Sequence, residues 1–363
     1  MPDLKRILKK WTKRLGVALG VLLALAVVTF IVAYLRIAPA APVPATVADD
    51  PSLPRIELNG VALHVESFGA AEDPVIIVLH GGPGGDYRNL RMLAALADDG
   101  YRVVFYDQRG SGLSARLPAD QITFQSMLDD LDAIVDRFGE GRPVALIGHS
   151  WGAMLTAYYL AQEPEKVARA VLAEPGVLTD EEYQQFAAAF QPPMTAAALL
   201  HMARAWIASL HLEGPDDQAQ LDSIVDAIMQ TPTADNPMNA YWCGGAAPEA
   251  ARVHWRVGGV AMQAILDESR QADGSLALPP LAVAYPGEVL LIASRCNQLI
   301  GVERQTAHRA LFPSARLVII EDAGHLMFTD QPATSLAVLR EYLAGWPRPD
   351  DPRSSARGER TDR

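Results

Sequence analysis

Residues 144–152 read Val-Ala-Leu-Ile-Gly-His-Ser-Trp-Gly, a short apolar run that breaks at Gly148-His149-Ser150-Trp151-Gly152. The pattern is G-x-S-x-G, with a strand-like segment (Val144–Ile147) before it and a helix-like stretch (Ala153–Gln162) after it. A serine on such a strand-to-helix turn is lifted above the edge of a sheet. It stands at a helix N-terminus, where the dipole favours developing negative charge. Glycines are needed on either side because side chains there would meet neighbouring backbone. Ser150 is therefore the candidate nucleophile.

Working outward, the signature of Val144–Ile147 recurs. Val75–Leu79, Arg102–Tyr106 and Val167–Ala173 are apolar runs rich in β-branched residues, the mark of buried strands. Helix-like stretches around Leu90–Ala97 and Phe124–Phe138 lie between them. Upstream, Arg55–Leu58 and Val61–Phe68 flank Asn59-Gly60, a strong hairpin signal. From about residue 177 to 285 the chain is rich in Ala, Met, Gln and Trp without strand-like runs, which predicts a helical insertion. The alternation then resumes with Val289–Ile292, a helix near Glu303–Leu311, the strand Arg316–Ile320 and a helix over Ala333–Leu343. The predicted fold is α/β: a mostly parallel sheet with flanking helices and an inserted helical cap. Its core falls into two parts, 55–176 and 286–345, with the cap at 177–285. Residues 346–363 (WPRPDDPRSSARGERTDR) are polar and Pro-bearing, and are expected to be disordered.

His80-Gly81-Gly82-Pro83-Gly84-Gly85 follows the strand Val75–Leu79. Acyl transfer needs two aimed N–H donors for the tetrahedral oxyanion. The expected pair is the backbone N–H of Trp151, next to the serine, and that of Gly82 on this loop.

Three motifs in order, HGGPGG at 80–85, DQRGSG at 107–112 and GHSWG at 148–152, resemble the proline iminopeptidase branch of the α/β-hydrolases (peptidase family S33). The resemblance covers about residues 55–345, is strongest up to residue 175 and is weak across the insertion. It implies a catalytic core with a helical cap that hydrolyses small amides or esters. It also implies a histidine after the last strand as general base, which points to His325 in Asp322-Ala323-Gly324-His325. His201, His211, His254 and His308 fall in helical stretches, and His64 lies on the hairpin, without such a context. Asp107–Gly112 is expected to shape its loop and is assigned no chemistry.

The family's third member, an Asp after strand seven, is missing. The corresponding segment is Ser294-Arg295-Cys296-Asn297, so the aligned residue is an amide. Either Asn297 orients His325, as an Asn does in papain-like sites, or the site is impaired, or the carboxylate comes from elsewhere. Glu174 follows the sixth strand, where similar haloalkane dehalogenases carry a Glu as the acid. It is the favoured candidate, and it keeps the chain order Ser…Glu…His. Epoxide hydrolases and haloalkane dehalogenases themselves are disfavoured, because both use an Asp nucleophile at the elbow.

The cap lacks the W-x-x-W-E segment of the family's aminopeptidases. Its Glu181, Glu182 and Glu213 read as a solvated face as readily as an amine site. Phe186, Phe190, Met194, Trp206, Tyr241 and Trp242 are candidates to line an apolar acyl pocket or to pack as core. Cys243 in the cap and Cys296 at the catalytic edge are the only cysteines, and spacing alone leaves their pairing open.

The net charge of −12 hides an asymmetry. Residues 1–36 hold seven of the 31 basic residues and one of the 43 acids, leaving 24 basic and 42 acidic residues beyond them. So acidic a body, without basic stripes, argues against nucleic acid as a partner. No spacing of His, Cys or acids suggests a metal site, and no cofactor motif is present. Leu15–Leu35 is free of charge and follows a basic cluster at residues 1–14. As a helix it spans roughly 31 Å at about 1.5 Å per residue, enough for a bilayer core. It predicts a transmembrane anchor over 15–36, with the basic end cytoplasmic and the catalytic body extracytoplasmic (periplasmic in a Gram-negative cell). A cleaved signal peptide ending near Ala38-Pro39-Ala40 is the rival. Residues 37–54 read as an extended Pro/Ala-rich linker. The expected function is a membrane-tethered serine hydrolase that cleaves a small ester or amide through an acyl-enzyme intermediate, its substrate a small molecule or short peptide. The alternatives are a proline iminopeptidase-type enzyme and a catalytically weak binding module.

Overall fold

The computed structural model describes residues 4–189, 194–245, 255–271, 278–344 and 346. Eight strands form one sheet: β1 (Arg55–Leu58), β2 (Val61–Phe68), β3 (Val75–Leu79), β4 (Arg102–Tyr106), β5 (Val144–His149), β6 (Val167–Ala173), β7 (Val289–Ser294) and β8 (Ala315–Ile320). Their order is β1-β2-β4-β3-β5-β6-β7-β8. The first two pairings, β1 with β2 and β2 with β4, are antiparallel, and the rest are parallel. Asn59 and Gly60 both take positive φ (49° and 75°), which a tight two-residue hairpin between right-twisted strands requires.

Alternation along the buried strands splits the core in two. Ile77 and Leu79 face one layer, which they share with helices α2 (Phe124–Gly139) and α3 (Trp151–Gln162). Ile76 and Val78 face the other, with the segment Arg88–Asp99 and the C-terminal helix. The period of two in a strand leaves both faces apolar, as a sheet covered on both sides needs. Helix α2 opens on a reciprocal capping pair between Thr123 and Ser126. The helix-like stretch around Leu90–Ala97 is a 3₁₀ helix over Arg88–Asp99; Leu90, Leu93 and Leu96 recur every third residue, and all three are buried.

Between β6 and β7 the described chain carries α4 (Asp180–Ala189), α5 (Ala196–Ser209), α6 (Ala219–Met229) and α7 (Gly259–Glu268). After β7 come α8 (Val302–His308), α9 (Met327–Asp330) and α10 (Pro332–Leu343). Ahead of the sheet stands α1 (Leu4–Arg36), within which Leu8–Arg36 is long and apolar enough to cross a membrane.

Two expectations need correction. Residues 37–54 are not a free linker. Val47 is buried and its N–H bonds Leu113 O at 2.8 Å, while Pro44 O accepts from Arg256 Nη1 at 3.1 Å. Arg256 is itself held by Asp216 and Asp222, so the segment is tied into a buried ion network. The tail also starts later than expected. Trp346 is buried and stacks on Tyr101 with ring centroids 5.7 Å apart. The rest of the expected disordered tail, 347–363, lies outside the described residues, as do Phe190 and His254.

Candidate active site

The parallel register assembles one edge of the sheet. Leu79 pairs with Gly148, His149 with Ala173, Ala173 with Ile292 and Ser294 with Ile320. The loops leaving β3, β5, β6, β7 and β8 therefore start side by side, bringing together Gly82, Ser150, Glu174, Asn297 and His325. Such a crevice beyond the carboxyl ends of the strands is where open α/β sheets hold ligands.

Ser150 sits at φ 55°, ψ −117°, a strained conformation for any residue but glycine. It survives because the turn is pinned: Ser150 N–H bonds Ala173 O at 2.8 Å, and Ser150 O accepts from Ala153 and Met154. The flanking glycines are sterically required. A Cβ on Gly148 would stand 2.4 Å from Gly152 O, and one on Gly152 would stand 2.3 Å from Leu79 O. A Cβ on Gly81 would come within 3.1 Å of Ser150 Cβ, so the loop after β3 runs directly against the serine. Gly82 follows at φ 140°, and Trp151 begins α3 on the serine's other side.

Glu174, also at positive φ (48°), directly follows β6 and is fully buried. Its carboxylate gathers four donors. Ser294 N–H and Oγ–H reach Oε1 at 2.7 and 2.5 Å. Asn297 Nδ2 reaches Oε2 at 2.7 Å, and His325 Nδ1 lies 2.6 Å from the same oxygen. Asn297 Nδ2 is also 3.4 Å from His325 Nδ1, but it can only donate, so the imidazole's partner is Glu174. That pairing puts the proton on Nδ1 and leaves Nε2 as the free base. Burial pushes Glu174 up to about 7, opposed by the bonds from Ser294 and Asn297, and pushes His325 down to about 3. Both shifts have one origin, since burial opposes charge on either partner.

His325 packs against two further rings, His149 and Tyr241, each with its centroid 4.5 Å away. His149 Nε2 lies 2.7 Å from His325 O, and the His325 N–H donates to Tyr241 O at 2.8 Å. Burial likewise holds His149 down at about 3. Tyr241 is held in place covalently. Cys243, two residues on, is bonded to Cys296, whose neighbour is Asn297.

Sequence reasoning missed several of these supports. Gln108 accepts from the Trp151 indole at 2.9 Å, donates through its side chain to His80 O and through its backbone N–H to His80 Nε2. It thereby ties the loop after β3 to the first turn of α3, and its place in a family motif was the available signal. His64 forms a buried pair with Asp107 at 2.9 Å. Ser294 carries no signal of its own, and Tyr241 reads in the sequence only as a pocket or core aromatic. Glu182 is spoken for by His308 at 2.9 Å and by the N–H groups of Leu178 and Thr179. Of the candidate pocket side chains, Tyr241 is buried against His325 and Trp242 is buried in the same apolar cluster as Tyr241, whereas Trp206 and Met194 face outward.

Sequence comparison matches residues 74–332 to the family model described as the alpha/beta hydrolase fold. The chain belongs to the α/β-hydrolase family. The chain is 32% identical over 119 residues to the proline iminopeptidase PfmaB of Pestalotiopsis fici, covering 32% of this chain and 42% of that one. It is 26% identical over 320 residues to epoxide hydrolase A of Mycobacterium tuberculosis, covering 80% of this chain and 96% of that one. The crystal structure of VinJ superposes with a TM-score of 0.56 at 19% identity, covering 81% and 98%, a likeness of fold. The chain spans less than half the length of the curated relatives it matches above 30% identity.

Proposed function

We propose that the protein is a membrane-tethered serine hydrolase that cleaves a small ester or amide through an acyl-enzyme. Ser150 Oγ attacks the carbonyl carbon as His325 Nε2 takes its proton. The tetrahedral oxyanion rests on the Gly82 and Trp151 N–H groups. Collapse expels the alcohol or amine, which leaves with the proton from His325. Water, deprotonated in its turn by His325, then releases the acid and restores Ser150. Glu174 holds the Nδ1 tautomer and stabilises the imidazolium. The observation that carries this reading is the 2.6 Å contact between Glu174 and His325 Nδ1 at the edge where the strained Ser150 turn stands.

The helices α4–α7 act as a cap over that edge, and α1 as the anchor. The Cys243–Cys296 bond fits a catalytic body on the oxidising side of a membrane. Epoxide opening through an enzyme ester would need a carboxylate at position 150, where a serine stands. Recognition of a free amine by Glu182 would compete with partners it already has. An ester is therefore the first substrate class to test.

Native protein is expected to label with a fluorophosphonate probe and to turn over p-nitrophenyl esters ahead of prolyl and alanyl naphthylamides. Ser150→Ala is expected to abolish both while leaving the thermal transition in place, because the elbow side chain supports no core packing. Turnover that survives in clean Ser150→Ala protein would overturn the mechanism. A native protein that never labels would instead favour a binding module.

A further inference from the structure

Outside α1, the large apolar side chains exposed among the described residues are Met194, Leu199, Leu200, Trp206, Leu221 and Leu266. The first four lie on α5 or immediately before it. The exposed positions Ala196, Leu199, Leu200, Ala203 and Trp206 recur at helical spacing, so α5 turns an apolar stripe outward. Its other side is satisfied within the protein: Ala198 and Ser209 are buried, and His201 Nε2 bonds Ala227 O at 2.9 Å. A contiguous apolar face of this kind on a soluble body marks a surface with a partner.

The position of α1 identifies that partner. Phe30 lies 6.0 Å from Trp206 between ring centroids, and Tyr34 stacks on His211 at 4.0 Å. His211 Nε2 also reaches Tyr34 O at 2.9 Å. Just beyond the helix, Ala40 N–H bonds Ala208 O at 3.2 Å. The two ring contacts advance in the same chain direction, from Phe30 to Tyr34 on α1 and from Trp206 on α5 to His211 just beyond its end, while Ala40, past the end of α1, turns back to Ala208. The N-terminal end of α5 therefore lies on the side of the apolar stretch of α1. Phe30 and Tyr34 fall in the last turns of the uncharged run, the level of the interface if about 20 residues fill the bilayer core. Trp206 beside Phe30 shares that level, where indoles concentrate. Leu199 and Leu200 stand roughly 10 Å further along the helix. The lone exposed charge on α5, Arg204, is long enough to reach the headgroups.

At its other end this region meets the catalytic histidine. Helix α4, preceding α5, brings Phe186 against the apolar cluster of Tyr241, Trp242, Ile300 and Leu326, and Tyr241 lies on His325. We propose that α5 is seated in the leaflet from which α1 emerges, and that the substrate is an acyl ester dissolved in the bilayer, whose chain enters beneath the cap. The substrate class rests on the serine-hydrolase reading above; the seat of α5 does not.

The full chain in phosphatidylcholine nanodiscs tests both parts. In a Trp11→Phe background, lipids brominated near the headgroup end of the acyl chain are expected to quench the emission that Trp206→Phe removes. Unquenched Trp206 emission would overturn the seat. For the substrate, Leu199→Glu with Leu200→Glu alters only exposed side chains. It is expected to lower kcat/KM at least about tenfold for p-nitrophenyl palmitate carried in the disc, and to leave soluble p-nitrophenyl acetate within about twofold. An equal effect on both esters, or none on either, would overturn the bilayer-borne substrate. Native protein that quenches but hydrolyses neither ester would overturn the hydrolase reading and leave the seat standing.

Discussion

The Asn297 amide is fixed at both ends. Its Oδ1 accepts from the Leu299 and Ile300 N–H groups at 3.0 and 3.1 Å, which turns Nδ2 toward Glu174. An aspartate here would set a carboxylate oxygen about where Nδ2 now lies, 2.7 Å from Glu174 Oε2, and the two could not both ionise. The acid after β6 and the amide after β7 thus require each other. Glu174→Gln is expected to lower kcat by up to about 10⁴-fold, because its amide would face donors and drive His325 toward the Nε2–H tautomer. Asn297→Ala removes a neutral neighbour and is expected to cost about tenfold. Asn297→Asp alone is expected to impair the enzyme, yet to recover part of the activity when added to Glu174→Gln, where Asp can accept from His325. Steady-state kinetics of the four variants decide the matter, and a greater loss for Asn297→Ala than for Glu174→Gln would reverse the assignment. The absence of an acid in Ser294–Asn297 and the presence of one at the end of β6 were both legible in the sequence. The amide's orientation was not, since it depends on two backbone N–H groups in a loop without regular structure.

At the level of elements, the strands read most clearly, because burial on both faces demands uninterrupted β-branched runs. Helix type was less clear: at Arg88–Asp99 a buried position every third residue suits a 3₁₀ helix as well as an α-helix. Least legible was the segment around Pro237–Gly245, two short 3₁₀ turns with no periodicity to betray them. Yet this segment supplies Tyr241, and it lies so close to the His325 loop that a Cβ on Gly324 would stand 2.6 Å from Tyr241 O. The Cys243–Cys296 bond secures it and closes a loop with a sequence separation of 53. By chain entropy such a loop contributes up to about 4 kcal/mol. Cys243→Ser with Cys296→Ser is expected to lower the urea midpoint accordingly and to reduce kcat more than KM, since the freed segment packs on His325. Unchanged kcat in a destabilised double variant would restrict the bond to a purely structural part.

For the molecule as a whole, acid is the expected stress. His149 and His325 are held at about 3, against 6.5 for an exposed imidazole. Between those values the unfolded chain binds two protons that the folded chain refuses. Their contribution is complete above pH 6.5 and is lost as the pH falls toward 3. Glu174, pushed up to about 7 from 4.5, acts in the opposite sense: the folded chain takes its proton first, which favours folding on the acid side and is lost as the pH rises through 7. From pH 6.5 to 4.5 the two imidazoles, which favour unfolding as the pH falls, outweigh the one carboxyl that opposes them. Urea midpoints are expected to fall across that window and more steeply below it, and a flat profile would contradict the burial of these rings.

The docking of residues 37–50 has a further consequence. From the end of α1 at Arg36 to Ala40, which is already bonded to α5, the chain takes only four steps. At roughly 3.5 Å per residue that is a reach of about 14 Å, too little for a leash. With α1 in a membrane, as proposed, a body held so closely would search in two dimensions. Encounter with a membrane-resident molecule would then follow its mole fraction in the leaflet, and diluting the vesicles in buffer would leave the rate unchanged.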